Sequence, residues 1–204
     1  MNMPLPAGLM GSPIFPAPSS WSAGRDARLI PDLISKLPNL SGAKSWGRLG
    51  HSGDASLAER LALRLLSFKK MTSPIARYLD RSWHAQLFER LDSLFDVDDW
   101  DADFVLPLES SFETFLRLIV YLHPTKRPGI GLSSRGYVLA SWSKDGDRIV
   151  IECLPQDELR WVLSQSNEGR RESAAGKNRI QRLIELIEGY EPDRFFKNGD
   201  KVTT

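Results

Sequence analysis

Between Asp96 and Phe115 the chain reads DVDDWDADFVLPLESSFETF, with five aspartates in eight residues set around Trp100. Carboxylates so spaced can hold a hard cation, exchange protons in catalysis, or cap backbone amides. An EF-hand calcium loop needs oxygen ligands at positions 1, 3 and 5, glycine at 6 and glutamate at 12. Counted from Asp96, position 5 is Trp100, position 6 is Asp101 and position 12 is Pro107. Starting at Asp98 or Asp99 does not restore the glycine and the glutamate together. A nuclease site wants a lysine near its acidic residues on neighbouring strands. RIVIECL, around Glu152, has none two residues on. The expectation is no metal and no cofactor.

Other chemistry-bearing residues are sparse. His51, His84 and His123 have no metal-ligand spacing. The one cysteine, Cys153, sits in an apolar alternating run and reads as a buried, inert thiol. One cysteine also excludes an intrachain disulfide. No G-x-S-x-G, phosphate-cradling glycine loop or H-E-x-x-H pattern occurs. An enzyme of another type stays open, because site residues can be distant in sequence. A net charge of +1 gives no global argument for nucleic acid. Locally, Arg170, Arg171, Lys177, Arg179 and Arg182 form a basic cluster able to meet phosphates.

These residues need elements to position them. The 204 residues are 41% hydrophobic and 26% charged, enough for a core in part of the chain. Residues 1–53 are rich in proline, glycine and serine and read as a flexible arm, with Phe15, Trp21 and Trp46 as isolated anchors. No apolar run approaches the roughly 20 residues that span a bilayer. The five prolines of the first twenty residues break any signal-peptide core. A bacterial, cytoplasmic location is expected.

Residues 54–95 read as a helical hairpin. Ser56 and Glu59 form a capping box, and Leu57, Leu61, Leu65 and Phe68 mark one face, widened by Leu63 and Leu66. A second helix over 73–95 opens at Ser73–Pro74 and carries Ile75, Leu79, Trp83, Leu87, Leu91 and Leu94 in a stripe. That stripe serves the core, or a dimer or partner interface. A third helix begins at a second capping box, Ser110 to Glu113, and ends before Pro124.

Strand signals follow over residues 129–134, 136–143, 148–154 and 159–164, with Asp145–Gly146 as a hairpin turn. Residues 165–178 read as loop. The last helix carries Ile180, Leu183, Ile184 and Ile187, with Gly189 as C-cap, and the tail over 191–204 reads as frayed. The fold class is α+β: an antiparallel sheet of three to four strands packed by helices, over residues 96–190.

Trp100, Asp101, Pro107, the Glu113–Thr114 pair and Trp142, followed by RIVIEC, resemble a family of small uncharacterised bacterial proteins. Its hallmark is a WDGYGA-x-P-[IV]-S-x-E-T segment, then a helix and an antiparallel sheet. The likeness spans about residues 90–164, and Ala102 and Phe104 stand where that family has glycines. The resemblance implies a mobile-element or toxin–antitoxin-like setting. In that light Trp100 anchors a loop on the sheet, Asp101 caps backbone amides, and Pro107 fixes the start of the third helix. Asp96, Asp98, Asp99 and Asp103 form an acidic rim that is either simply solvated or, with Trp21 and Trp46, meets a protein partner. The function expected is a non-enzymatic interaction protein, antitoxin- or immunity-like. The alternative is a nucleic-acid-binding accessory protein using Arg170–Arg182.

Overall fold

A computed structural model describes residues 56–100, 105–167 and 169–197. The arm with Trp21 and Trp46, and Asp101 and Asp103 of the acidic stretch, lie outside the described residues.

Helix α1 spans Leu57–Thr72. Its capping box forms as its sequence requires: Ser56 Oγ accepts from the Glu59 amide, and the Glu59 carboxylate accepts from the Ser56 amide. Leu61 and Phe68 are buried and Leu57 and Leu65 partly so, but Leu63 and Leu66 are more than 60% exposed. The apolar face is therefore narrower than the leucine count suggests.

The expected second helix is two pieces. A 3-10 turn covers Ser73–Tyr78, Leu79 is extended, and α2 runs over Arg81–Leu94. Asp80 makes the break. Its carboxylate accepts from the Trp83 amide and the Ser82 hydroxyl, so a new helix starts there.

Helix α3, Glu109–Leu122, is buried on most sides, with Phe112, Phe115, Leu116, Leu118 and Ile119 in the core. Its first turn has no side-chain cap, contrary to the Ser110–Glu113 expectation. The N-cap is Leu108, whose amide donates to the Gly136 carbonyl at 2.9 Å. Buried Pro107 delivers the chain to that point.

The sheet is an antiparallel meander in the order β1-β2-β3-β4-β5: Gly129–Leu132, Val138–Lys144, Asp147–Cys153, Glu158–Asn167 and Arg170–Arg179. It has five strands, not three to four. The residues expected to be loop are the end of β4 and all of β5, paired from Glu158↔Arg179 to Asn167↔Arg170. Asp145 and Gly146, at φ 52° and 86°, make the two-residue turn that keeps Lys144 opposite Asp147.

One sheet face is buried: Val138, Ala140 and Trp142, then Ile149, Ile151 and Cys153, then Leu159, Trp161 and Leu163. Helix α1 reaches the same core, where Phe68 stacks on Phe112 at 4.0 Å. The hairpin and the sheet thus share one hydrophobic cluster.

Helix α4, Ile180–Ile187, follows β5 directly and continues into a 3-10 turn, Glu188–Tyr190, so Gly189 is not the C-cap. The start of the expected frayed tail is instead docked. Short helix α5, Asp193–Phe196, buries Phe195 and Phe196, and Phe196 meets Trp142 edge-on at 4.9 Å. Arg194 reaches the buried Asp147 carboxylate at 2.5 Å.

Candidate functional site

The acidic stretch divides. Asp96 caps a 3-10 turn, Val97–Asp99, by accepting from the Asp98 amide. Asp96, Asp98 and Asp99 are exposed, so the described part of the rim lies at the surface. The Trp100 indole N–H donates to the Leu94 carbonyl at 3.0 Å, and its ring stacks on Phe95. The anchor the structure shows for Trp100 is therefore the end of α2, where the sequence suggested the sheet.

The Glu113–Thr114 pair is a structural clasp. Glu113 Oε1 accepts from Arg117 at 2.6 Å, and Arg117 Nη1 reaches both carboxylate oxygens of Asp157 at 3.0 Å. Thr114 Oγ1 accepts from the Asp157 amide, and the Asp157 carbonyl accepts from the Ile180 amide. Asp157 sits at φ 60° in the β3–β4 turn. The clasp ties that turn to α3 and α4 at once. Sequence reasoning missed Arg117 and Asp157. The i, i+4 spacing of Glu113 and Arg117 was the available signal.

Trp142 is buried and donates to the Lys126 carbonyl. Cys153 is fully buried; burial, and then nearby Glu152, push its thiol far above the ordinary range, so it stays protonated. Among the described residues no group of three His, Cys, Asp or Glu side chains could hold a metal ion. No helix among them is long and apolar enough to cross a membrane.

The expected basic cluster does not stay together. Register puts Arg171, Lys177 and Arg179 on one face of β5 and Arg170 on the other. Arg182 lies on α4, 72% exposed, beside Glu185.

A cleft of about 400 Å³ lies between α2 and β1. Arg90, Leu94, Asp99 and Trp100 line one wall, and Ile130, Leu132 and Ser133 the other. A second cavity of about 190 Å³ continues it along β1 past Trp83, Gln86 and Arg127. Arg90 and Ile130 line both. The groove thus follows the outer edge of β1.

That edge is open. Ser133 donates to the Tyr137 carbonyl, so by the antiparallel alternation Gly131 and Gly129 also turn their backbone groups toward β2. The amides and carbonyls of Ile130 and Leu132 then face the groove, and among the described residues β2 alone pairs with β1. A groove of this size with a free strand edge on one wall and an aromatic and a guanidinium on the other suits an extended peptide.

Compared with known proteins, the chain matches no family model, no curated protein and no solved structure.

Proposed function

We propose that this protein works by binding, and that it takes an extended segment of a partner protein along β1. The observation that carries this reading is the open edge of Ile130 and Leu132 inside the α2–β1 groove. A strand added there gains main-chain hydrogen bonds at every second residue. Its alternate side chains would enter the space beside Trp100 and Leu94 at one end and Trp83 and Leu87 at the other. Arg90, in the middle, favours a carboxylate on the incoming strand, and Asp99 favours a cation at the Trp100 end. The acidic rim of Asp96, Asp98 and Asp99 extends that preference outward. The role this supports is a small interaction protein that holds or neutralises a partner, antitoxin- or immunity-like.

The test is selection of peptides from a displayed random library on the full chain, followed by binding of the selected peptides to variants. Ile130→Pro removes an outward N–H and leaves the β2 ladder intact, and proline is tolerated on such an edge. Selected peptides should lose at least about tenfold in affinity on Ile130→Pro and on Arg90→Glu. Peptides that bind both variants as tightly as the parent would sink the strand-addition reading.

A further inference from the structure

Among the described residues, no element covers the face of the sheet turned away from the helices. Strand alternation places Arg148, Arg160, Arg171, Lys177 and Arg179 on it, against two carboxylates, Glu152 and Glu158. Each carboxylate is already engaged: Glu152 with Arg160 at 2.8 Å and Glu158 with Lys177 at 2.7 Å. Among the described residues Arg148 and Arg171 have no ion-pair partner on this face, and Arg179 shares Glu158, which it faces across the strands, with Lys177. Arg160 and Lys177 stand directly opposite each other, with Arg179 beside them. Like charges facing across strands are unfavourable, and a bound anion relieves them.

The charges fall in two groups. Arg160, Lys177 and Arg179 lie toward one end of the β4–β5 pair, and Arg148 and Arg171 toward the other. Between them runs a neutral row, Ser141, Val150, Val162 and Ala175, with Val162 52% exposed. From Arg171 to Arg179 is about 27 Å at the usual rise of a strand. One small anion cannot reach both ends, and a rod-like polyanion can. Ser143, Ser164, Ser166 and Ser173 add hydroxyl donors on the same face.

Among the residues of the five strands on this face none is aromatic. A protein partner would usually need such an anchor, and base stacking on single strands would need one too. Arginine forks and hydroxyls without aromatics fit phosphodiester oxygens. We infer that the uncovered face of the sheet binds the backbone of duplex nucleic acid without reading its sequence, through Arg148, Arg160, Arg171, Lys177 and Arg179. This surface differs from the β1 groove, and its test does not depend on that reading.

The experiment is fluorescence anisotropy of the full chain with a labelled DNA duplex of about 24 base pairs, at about 50 and about 200 mM salt. Two duplexes of unrelated sequence should bind alike, within about twofold. The variant Arg148→Gln/Arg171→Gln/Arg179→Gln should bind at least about tenfold more weakly, with a log–log salt slope shallower by about 2.7. The control Arg170→Gln/Arg182→Gln, off this face, should stay within about twofold of the parent. Arg171 also donates to Ser164 Oγ and the Gly146 carbonyl, so circular dichroism accompanies the triple variant. A second variant, Glu152→Gln/Glu158→Gln, should tighten binding by about threefold or more. The inference is overturned if the duplex does not bind at about 100 μM protein, or if the control loses as much as the triple variant. It is equally overturned if polyglutamate or anionic lipid vesicles bind as tightly as the duplex under the same salt.

Discussion

At the scale of single residues, buried polar groups here are joints between elements. Ser111 Oγ donates to the Cys153 carbonyl at 2.6 Å and accepts from the Val138 amide at 2.7 Å. Val138 and Cys153 are the facing residues at the end of the β2–β3 ladder, so one hydroxyl from α3 completes their pairing. Ser111→Ala strands a buried amide and a buried carbonyl. Urea unfolding should show a loss of about 2–3 kcal/mol. A loss below about 0.5 kcal/mol would mean that water replaces the hydroxyl. Asp80 behaves differently because it is exposed. Its hydrogen bonds from the Ser82 hydroxyl and then the Trp83 amide hold its carboxyl below the ordinary 3.8. A lowered native pKa adds stability that is present above 3.8 and is lost as pH falls through the native value. Asp80→Asn should therefore flatten the acid limb of a stability–pH curve and leave the neutral region little changed in slope. An unchanged acid limb would remove Asp80 from that role.

At the scale of elements, close contacts decide what each segment becomes. Gly136, at φ 75°, precedes β2 with its Cα against the Leu106 carbonyl; a Cβ there would lie 2.5 Å from that oxygen. Gly136→Ala should cost about 1–3 kcal/mol, read by thermal or urea unfolding, from both strain and clash. Gly176 on β5 lies under the Trp161 ring, where a Cβ would fall 2.9 Å from the indole. The glycine that weakens β5 as a sequence signal is the one that lets Trp161 lie flat and donate to Asn178. Helix α5 is held by Phe195, Phe196 and the Arg194–Asp147 pair. Asp147 is 2% exposed and also accepts from the Ser166 amide, so it cannot turn to water. Arg194→Ala should lower stability by about 2–3 kcal/mol, at the modest end for a buried charge because Arg194 itself is partly solvated. If Asp147→Asn combined with Arg194→Ala recovers nothing, the cost lies in packing and not in the stranded charge.

At the scale of the molecule, one cluster of apolar side chains joins hairpin and sheet. Phe68 from α1, Phe112 from α3 and Phe95 after α2 touch in sequence. A domain boundary near residue 95 is therefore not a break in the core. Cutting the chain there should expose Phe68, Phe95 and Phe112. The piece beginning at residue 96 should then bind a hydrophobic dye and give broadened amide resonances, whereas a sharp, well-dispersed spectrum would show that the sheet domain stands alone. The same arrangement leaves two features outward. The groove exists because α2 stands off from β1, and the basic face exists because the described helices pack on one side.

The sequence alone determined the helices with strong apolar periodicity, the Ser56 cap, the Asp145–Gly146 turn and the three apolar strands, because local spacing encodes them directly. Trp100 was expected to anchor its loop on the sheet, and its indole instead holds the end of α2. Strand β5 was not legible: RRESAAGKNR has polar residues on both faces and borrows its strand character from β4. The Glu113–Arg117–Asp157 clasp was hidden because its partners are forty residues apart. The open edge of β1 and the charged face were hidden for a related reason. A strand's free side depends on which neighbours it finds, and a basic face depends on register, since one residue of slip would exchange Arg171 for Arg170. Local chemistry wrote the elements. Only their packing decided which backbone groups and which charges were left for a partner.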